Sequence, residues 1–417
     1  MYARELPAQP SLEQYKKQAK DLVKACKSGD LEALQRIKKN HPRFKKNHPG
    51  VDKLSNPEIL DVKITLTDAQ LVIAREYAFE SWPKFAKHIE ALTRKSSNIS
   101  LFESAVEAII AGDVVVLTRL LRENPQLIRE RSTRVHQSTL LHYVGANGVE
   151  DYRQKTPKNA VEVLKILLKA GAEVNAVAEL YGGTTTLGLV ATSVHPDRAG
   201  VQNQLMETLL DAGAAIEHAV APTYTRGLAV NACLYNDRPS AAAFLAAHGA
   251  HLDLEGAAGV GRLDLVESFF NEDGSLKENT TKRQLQAGFI WACEYGQASV
   301  AEFLLEKGVD LRAGENTGQT ALHLAAHRGQ LAMIKLLLDR GAPLEAINSY
   351  GGTVLGQALW SVINGDPTID FVPVIEMLLG AGAKIEPGSL TWLAEQSGSA
   401  AKKARIVEVL RRHGATS

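Results

Sequence analysis

Cysteine is scarce: Cys26, Cys233 and Cys293 are the only three in 417 residues. They are odd in number and far apart, which argues against a disulfide framework and for a reducing compartment, so the cytoplasm is the expected location. Aromatic residues are sparse at 6%, a composition that suits helix pairs built on Ala and Leu. No apolar run reaches about 18 residues, the length read as a membrane span. Met1–Pro10 lacks the charged, apolar and small-residue order of a signal peptide. Neither a Gly-x-Ser-x-Gly elbow nor a Cys-x-x-Cys pair occurs. Charge of one sign is not in excess either, with 47 Lys and Arg against 47 Asp and Glu.

What is present is the composition of a folded chain, 45% hydrophobic and 23% charged. Its length allows two or three ordinary domains, or one array that grows without a central core. The zero net charge conceals an asymmetry: Met1–Ser97 holds 19 Lys and Arg against 12 Asp and Glu, and the remainder carries the matching acidic excess. Such a split points to an anionic partner for one half or to two halves that attract each other.

Glu315–Ile347 reads ENTGQTALHLAAHRGQLAMIKLLLDRGAPLEAI. Thr320 is placed to cap a first helix, and Ala325 and Ala326 are small where a neighbouring helix pair would cross. Gly329 can take a left-handed turn between helices. Leu331, Ile334, Leu337 and Leu338 recur at helical spacing, and Gly341 ends the second helix. An apolar pair followed by Gly recurs at Leu167–Gly171, Leu209–Gly213, Leu304–Gly308 and Leu378–Gly382, with degenerate endings at Gly249, Gly274 and Gly414. In length and motif order this segment closely resembles an ankyrin repeat. The resemblance covers about three quarters of the chain, strongest over Gln284–Ala383 and weakest over Ala219–Thr281. It implies an all-α ankyrin-repeat solenoid of roughly nine α-α units joined by β-turns in residues 98–417. Leu101–Ser132 and Pro387–Ser417 read as the atypical end units. Insertions interrupt three units at Gly148–Ala160, Val194–Val201 and Ile363–Val372, each after a first helix; the first two are expected to form one wall along a groove.

Residues 1–97 form a separate small basic helical domain by this reading. Helices are expected over Ser11–Ser28, Asp30–Lys39, Thr67–Ala78 and Ser81–Leu92, each opened by a Ser, Asp or Thr cap. LPAQPSLEQYKKQAKDL and DAQLVIAREYAFESWPKFAKHIEAL resemble a leader segment of bacterial ankyrin proteins, which fixes no function. Thr93–Ser100 reads as the linker. Between the second and third helices, Arg36, Lys38, Lys39, Arg43, Lys45 and Lys46 surround Phe44. A basic run with an aromatic suits phosphate binding; it equally suits a solvated helix C-terminus. Nucleic acid is therefore a secondary alternative as partner.

His323 and His327 stand four apart on one helix, the spacing of a two-histidine metal face, but no carboxylate at helical distance completes it. The ankyrin resemblance instead gives His323, with its counterpart His142, the task of hydrogen bonding between repeats. No metal and no cofactor is expected. The Gly-rich Glu255–Gly261 falls where other units place a first helix and follows no strand signal, which argues against a phosphate loop. Cys233 and Cys293 align with Ala326, a packing position.

In ankyrin architecture the concave groove is lined by turn tips and by the last turn of each first helix. The alignment places His136, Tyr181, Tyr224, Arg226 and Tyr350 at turn tips. At last turns it places Asn147, Tyr235, Glu294, Tyr295, His327, Arg328, Trp360 and Ser361. Five of the ten tyrosines fall on this surface. Tyr, Trp and Arg are the side chains that most often anchor interfaces. The expectation is a non-enzymatic scaffold binding a protein or extended peptide through Tyr181, Tyr224, Arg226, Tyr235, Glu294, Tyr295, His327, Arg328, Tyr350 and Trp360. The rival is a pocket in which Glu294, His136, His195 and Asp197 bind and act on a small molecule.

Overall fold

A computed structural model describes residues 3–44, 64–217 and 227–415. The chain is mostly helical, with one two-stranded ribbon among the described residues. It forms two compact units, Met1–Ala241 and Ala242–Ser417. The boundary expected at residues 97/98 lies within the first unit.

The first unit opens with helices Leu12–Lys27, Leu31–Asn40, Leu66–Glu76 and Trp82–Leu92, close to the four expected. Asp30 caps the second by accepting from Ala33 N at 2.8 Å. The third starts one residue before the expected Thr67: Thr65 is the cap and Asp68 bonds back to Thr65 N at 2.9 Å, a reciprocal capping box. Ser11 and Ser81 make no side-chain cap bond, and Pro83 instead pre-sets the first turn of the fourth helix. Tyr15, Phe79 and Phe85 close the core of these helices, with the Tyr15 and Phe85 rings 4.9 Å apart. The expected linker is shorter than its composition suggested. Ser97 Oγ accepts from Ser100 N at 3.1 Å and donates to Ala91 O at 2.8 Å, so Asn98–Ala111 starts at once.

Helix pairs then follow in order. Asn98–Ala111 pairs with Val114–Glu123, a 3-10 turn Leu140–Gly145 with Ala160–Lys169, and Thr186–Thr192 with Gln202–Asp211. The second unit stacks Leu254–Gly259 with Leu263–Glu267, Lys282–Glu294 with Ala298–Glu306, Ala321–His327 with Leu331–Asp339, Val354–Asn364 with Val372–Gly380, and Ser389–Glu395 with Ala400–Arg412. Their inner faces are lined by small and branched side chains such as Ala325, Ala326, Ile334, Leu337 and Ala358, all fully buried. Cys233 and Cys293 are buried at the matching place, and burial pushes the Cys233 thiol up to about 12.

Each expected helix-ending glycine has the left-handed backbone, from φ 77° at Gly341 to φ 96° at Gly382. At Gly329 (φ 68°) a Cβ would also stand 2.7 Å from Cγ2 of Ile369. We therefore expect Gly329→Ala to cost about 1–2 kcal/mol, the usual penalty for an L side chain in this region. A urea midpoint equal to wild type would contradict that reading of the turn.

Candidate functional site

The groove assignment can be followed along three consecutive units of the second compact body. Glu294, His327 and Trp360 recur every 33 residues, and so do Tyr295, Arg328 and Ser361. Each set comes from the end of a first helix, Lys282–Glu294, Ala321–His327 or Val354–Asn364. The structure joins them unit to unit. Arg328 Nη2 donates to Glu294 Oε1 at 2.7 Å and Nε to the same oxygen at 3.2 Å. Its guanidinium also lies 5.4 Å from the centre of the Tyr295 ring. A cation held by a carboxylate and an aromatic face has little rotamer freedom left. Ser361 Oγ donates to Gln357 O at 2.8 Å, so in its contact with His327 Nδ1, also 2.8 Å, the imidazole N–H donates and Oγ accepts. The His327 and Trp360 rings stand 5.9 Å apart. Glu294, Tyr295, His327, Arg328 and Trp360 thus form one row of adjoining side chains.

Tyr350 occupies the turn between two of these units and is 77% exposed. Its ring does not brace the turn. Asn348 does, through Oδ1 accepting from Tyr350 N and Gly352 N, each at 3.0 Å, while Ser349 N reaches Thr317 O in the preceding unit at 2.8 Å. Tyr181 differs. It sits at φ 52° on the tip of the ribbon that pairs Val177 with Thr185 and Ala178 with Thr184. Its hydroxyl donates to Asn147 Oδ1 at 2.8 Å, and its ring lies so close to Gly148 that a Cβ there would meet Cε2 at 2.9 Å. Tyr181 therefore holds two neighbouring units together as well as facing solvent. Tyr235 ends Ala229–Tyr235 and is 67% exposed. Tyr224 and Arg226 lie outside the described residues.

The insertion Gly148–Ala160 does not stand up as a groove wall. It turns inward: Val149 and Glu150 are fully buried and Arg153 nearly so. Glu150 Oε1 accepts from Arg134 Nε at 2.6 Å, and Arg153 Nη2 reaches Glu103 Oε2 at 2.8 Å and Glu107 Oε1 at 2.6 Å. This inward pull also removes His136 from the groove. It is fully buried, with Nδ1 accepting from Ser138 N at 3.1 Å and Nε2 facing Glu150 Oε2 at 3.5 Å. Nothing in the sequence signalled this cluster, because its members have no regular spacing. The other two insertions pack by ion pairs: Asp197 with Arg238 at 2.7 Å, and Asp370 with Arg405 at 2.9 Å.

Of the residues named for acid-base work, His136 is buried against Glu150, Asp197 is held by Arg238, and Glu294 is paired with Arg328. The two helix-start histidines are committed in the way the repeat pattern implied. His142 Nδ1 accepts from Thr139 N at 3.1 Å and Nε2 donates to Ala176 O in the next unit at 3.0 Å. His323 repeats this with Thr320 N at 3.2 Å and Gly352 O at 3.3 Å. Among the described residues no group of three or more His, Cys, Asp or Glu is placed to hold a metal, and no helix is long and apolar enough to cross a membrane.

The basic run after the second helix is drawn into structure at two points. Arg36 binds Glu76 through Nε at 2.8 Å and Nη2 at 2.9 Å, and Arg43 lies 3.6 Å from Asp68. Lys45 and Lys46 lie outside the described residues.

No curated protein matches the chain. A family model described as ankyrin repeats (3 copies) matches residues 254–348 and 289–387, the stretch that carries the Glu294–Trp360 row. Ankyrin repeats are in general protein-interaction scaffolds. With helix pairs at the matched period, left-handed glycine endings and the Thr-x-x-His bonds between units all in place, residues 254–387 are ankyrin repeats, and the helix pairs before them continue the same pattern.

Proposed function

We propose that the protein is a non-enzymatic scaffold that binds a protein surface or an extended peptide. In the second unit the contacts come from Tyr295, Arg328, His327, Trp360 and Tyr350, with Glu294 holding Arg328; in the first they come from Tyr181 and Tyr235. The observation that carries the reading is exposure. The strongly exposed aromatics among the described residues are Tyr181 at 62%, Tyr235 at 67%, Tyr350 at 77% and Trp360 at 45%. All four belong to the surface that the repeat alignment assigns to the groove. Large rings left in water at repeating positions, beside an arginine already fixed in place, are what an interface hot spot requires before its partner arrives.

A Tyr350→Ala, Trp360→Ala double variant tests this. Both rings are exposed, so the fold is expected to survive, as circular dichroism would show. Proteins recovered by proximity labelling with the wild-type chain are expected to be lost, and affinity for one purified partner to fall at least about tenfold, the usual loss for a removed hot spot. Val115→Ala, an exposed apolar change in the first unit that is not among the proposed contacts, serves as control. Recovery unchanged in the folded double variant would refute the assignment.

A further inference from the structure

The first unit contains a cavity of about 570 Å³ that the repeats do not explain. Its lining brings together Arg4 from the N-terminal segment, Arg36 and Lys39 from Leu31–Asn40, and Arg75 from the last turn of Leu66–Glu76. The carboxylates around it are Glu32, Glu76 and Glu80. Glu76 is buried and takes Arg36 in a two-point pair, with Arg4 Nη1 a further 3.3 Å contact. Glu32 also acts on Arg36, and over the whole lining Arg4, Arg36, Lys39 and Arg75 outnumber the three carboxylates by one positive charge. Glu80 pairs with Lys84 from outside the lining and also feels the charge of Arg75, without a hydrogen bond to it. Arg75 donates one N–H to Asn40 O at 3.2 Å, which anchors the guanidinium at the cavity and leaves most of its five donors for another acceptor. Half-buried Val135 supplies an apolar wall, backed by Ala78 and by Phe79, whose ring is fully buried in the core.

The position of Arg4 is fixed at the backbone. Its N–H donates to Glu76 O at 2.8 Å, and the preceding Ala3 N–H donates to Asp151 Oδ1 at 3.2 Å. The opposite wall is also tied down, because Val135 N donates to Ala78 O at 2.9 Å. A small-molecule-sized space with preorganised guanidiniums on one side and an apolar wall at Val135 on the other matches an organic oxyanion. We propose that this cavity binds a small organic anion, an oxyanion head on an aromatic or similarly apolar body, with Arg75 and Arg4 gripping the head and Val135 contacting the body. This site is independent of the aromatic row.

Titration of the full chain with phenyl phosphate, benzoate, inorganic phosphate and phenol, followed by calorimetry, tests the proposal. Phenyl phosphate or benzoate is expected to bind saturably, and whichever binds more tightly identifies the head group. Inorganic phosphate is expected to bind more weakly than phenyl phosphate, and phenol not at all. Arg75→Gln and Arg4→Gln should each weaken binding at least about tenfold, the scale of one lost charge-assisted hydrogen bond. Arg75→Lys should retain part of it. Arg4 lies in an extended segment held by backbone bonds, so its variant keeps the test decisive if Arg75→Gln fails to fold. Absence of saturable binding by both organic anions, equal affinity for phosphate and phenyl phosphate, or binding that survives both Gln variants would each overturn the proposal.

Discussion

Arg134→Ala is expected to destabilise the first unit by about 3–5 kcal/mol, the loss that follows when one partner of a buried ion pair is removed. The Arg134 side chain is 2% exposed. It reaches Glu103 Oε1 at 2.7 Å and Glu150 Oε1 at 2.6 Å, and its guanidinium lies 5.5 Å from the Phe79 ring centre. Burial by itself would push Glu103 up, but Arg134 and Arg153 override it and hold that carboxyl down to about 2. They hold Glu150 below the ordinary carboxylate range in the same way. Without Arg134, two buried carboxylates would share Arg153 alone. The cost should therefore shrink when a carboxylate is removed as well: Arg134→Met with Glu150→Gln is expected to be less damaging than the two single changes added together. Because the chain has two compact units, a single global transition is not assumed. Hydrogen exchange resolved by segment, together with urea unfolding, gives the measurement. If Arg134→Ala stays within about 1 kcal/mol of wild type, the cluster is not what holds the insertion to the repeats.

The cluster also marks where sequence reasoning stops. Helix ends, caps and turns are set by residues within four or five positions of one another, and these were legible: Gly171, Gly213, Gly308, Gly341 and Gly382 all take the left-handed turn. The Thr320–His323 bond is local too, and the repeat period alone extends it to Gly352. The exposed positions of Tyr350 and Trp360 follow from the same period. By contrast, the repeat alignment puts the insertion at residues 148–160 in a wall along the groove. Its inward course depends on Glu103 and Arg134, which lie up to 47 residues from Glu150, and on Glu107 for Arg153. Period and composition contain no term for such a pairing. His136 shows the same failure at one residue: a turn-tip position implied solvent, whereas Glu150 from the insertion covers it. The anion cavity was half visible, since Arg36 stood out in the basic run. Arg4 and Arg75 became its neighbours only through the fold.

Mild acid is expected to weaken the first unit well before Glu103 titrates. Burial depresses His88 and His142 to about 4 each, from an ordinary value of 6.5. For His88, Glu103 opposes that shift while Arg134 and Arg153 add to it. For His142 the hydrogen bonds explain why the neutral ring is required. Nδ1 accepts the Thr139 N–H while Nε2 donates to Ala176 O, so a second proton would set donor against donor. Both imidazoles are neutral in the folded chain and protonate in the unfolded chain below about pH 6.5. Their contribution is therefore complete above that pH and is lost as pH falls from 6.5 to 4. At about 1.4 kcal/mol per pH unit, that window is worth roughly 3 kcal/mol for each histidine. The sum is a large share of the 5–15 kcal/mol typical of a domain. Urea midpoints for the first unit should fall steadily between pH 7 and pH 4. His88→Gln, which keeps a polar group for Thr133 but cannot titrate in this range, should flatten the decline. A pH dependence identical in the variant would assign the acid sensitivity to groups other than His88.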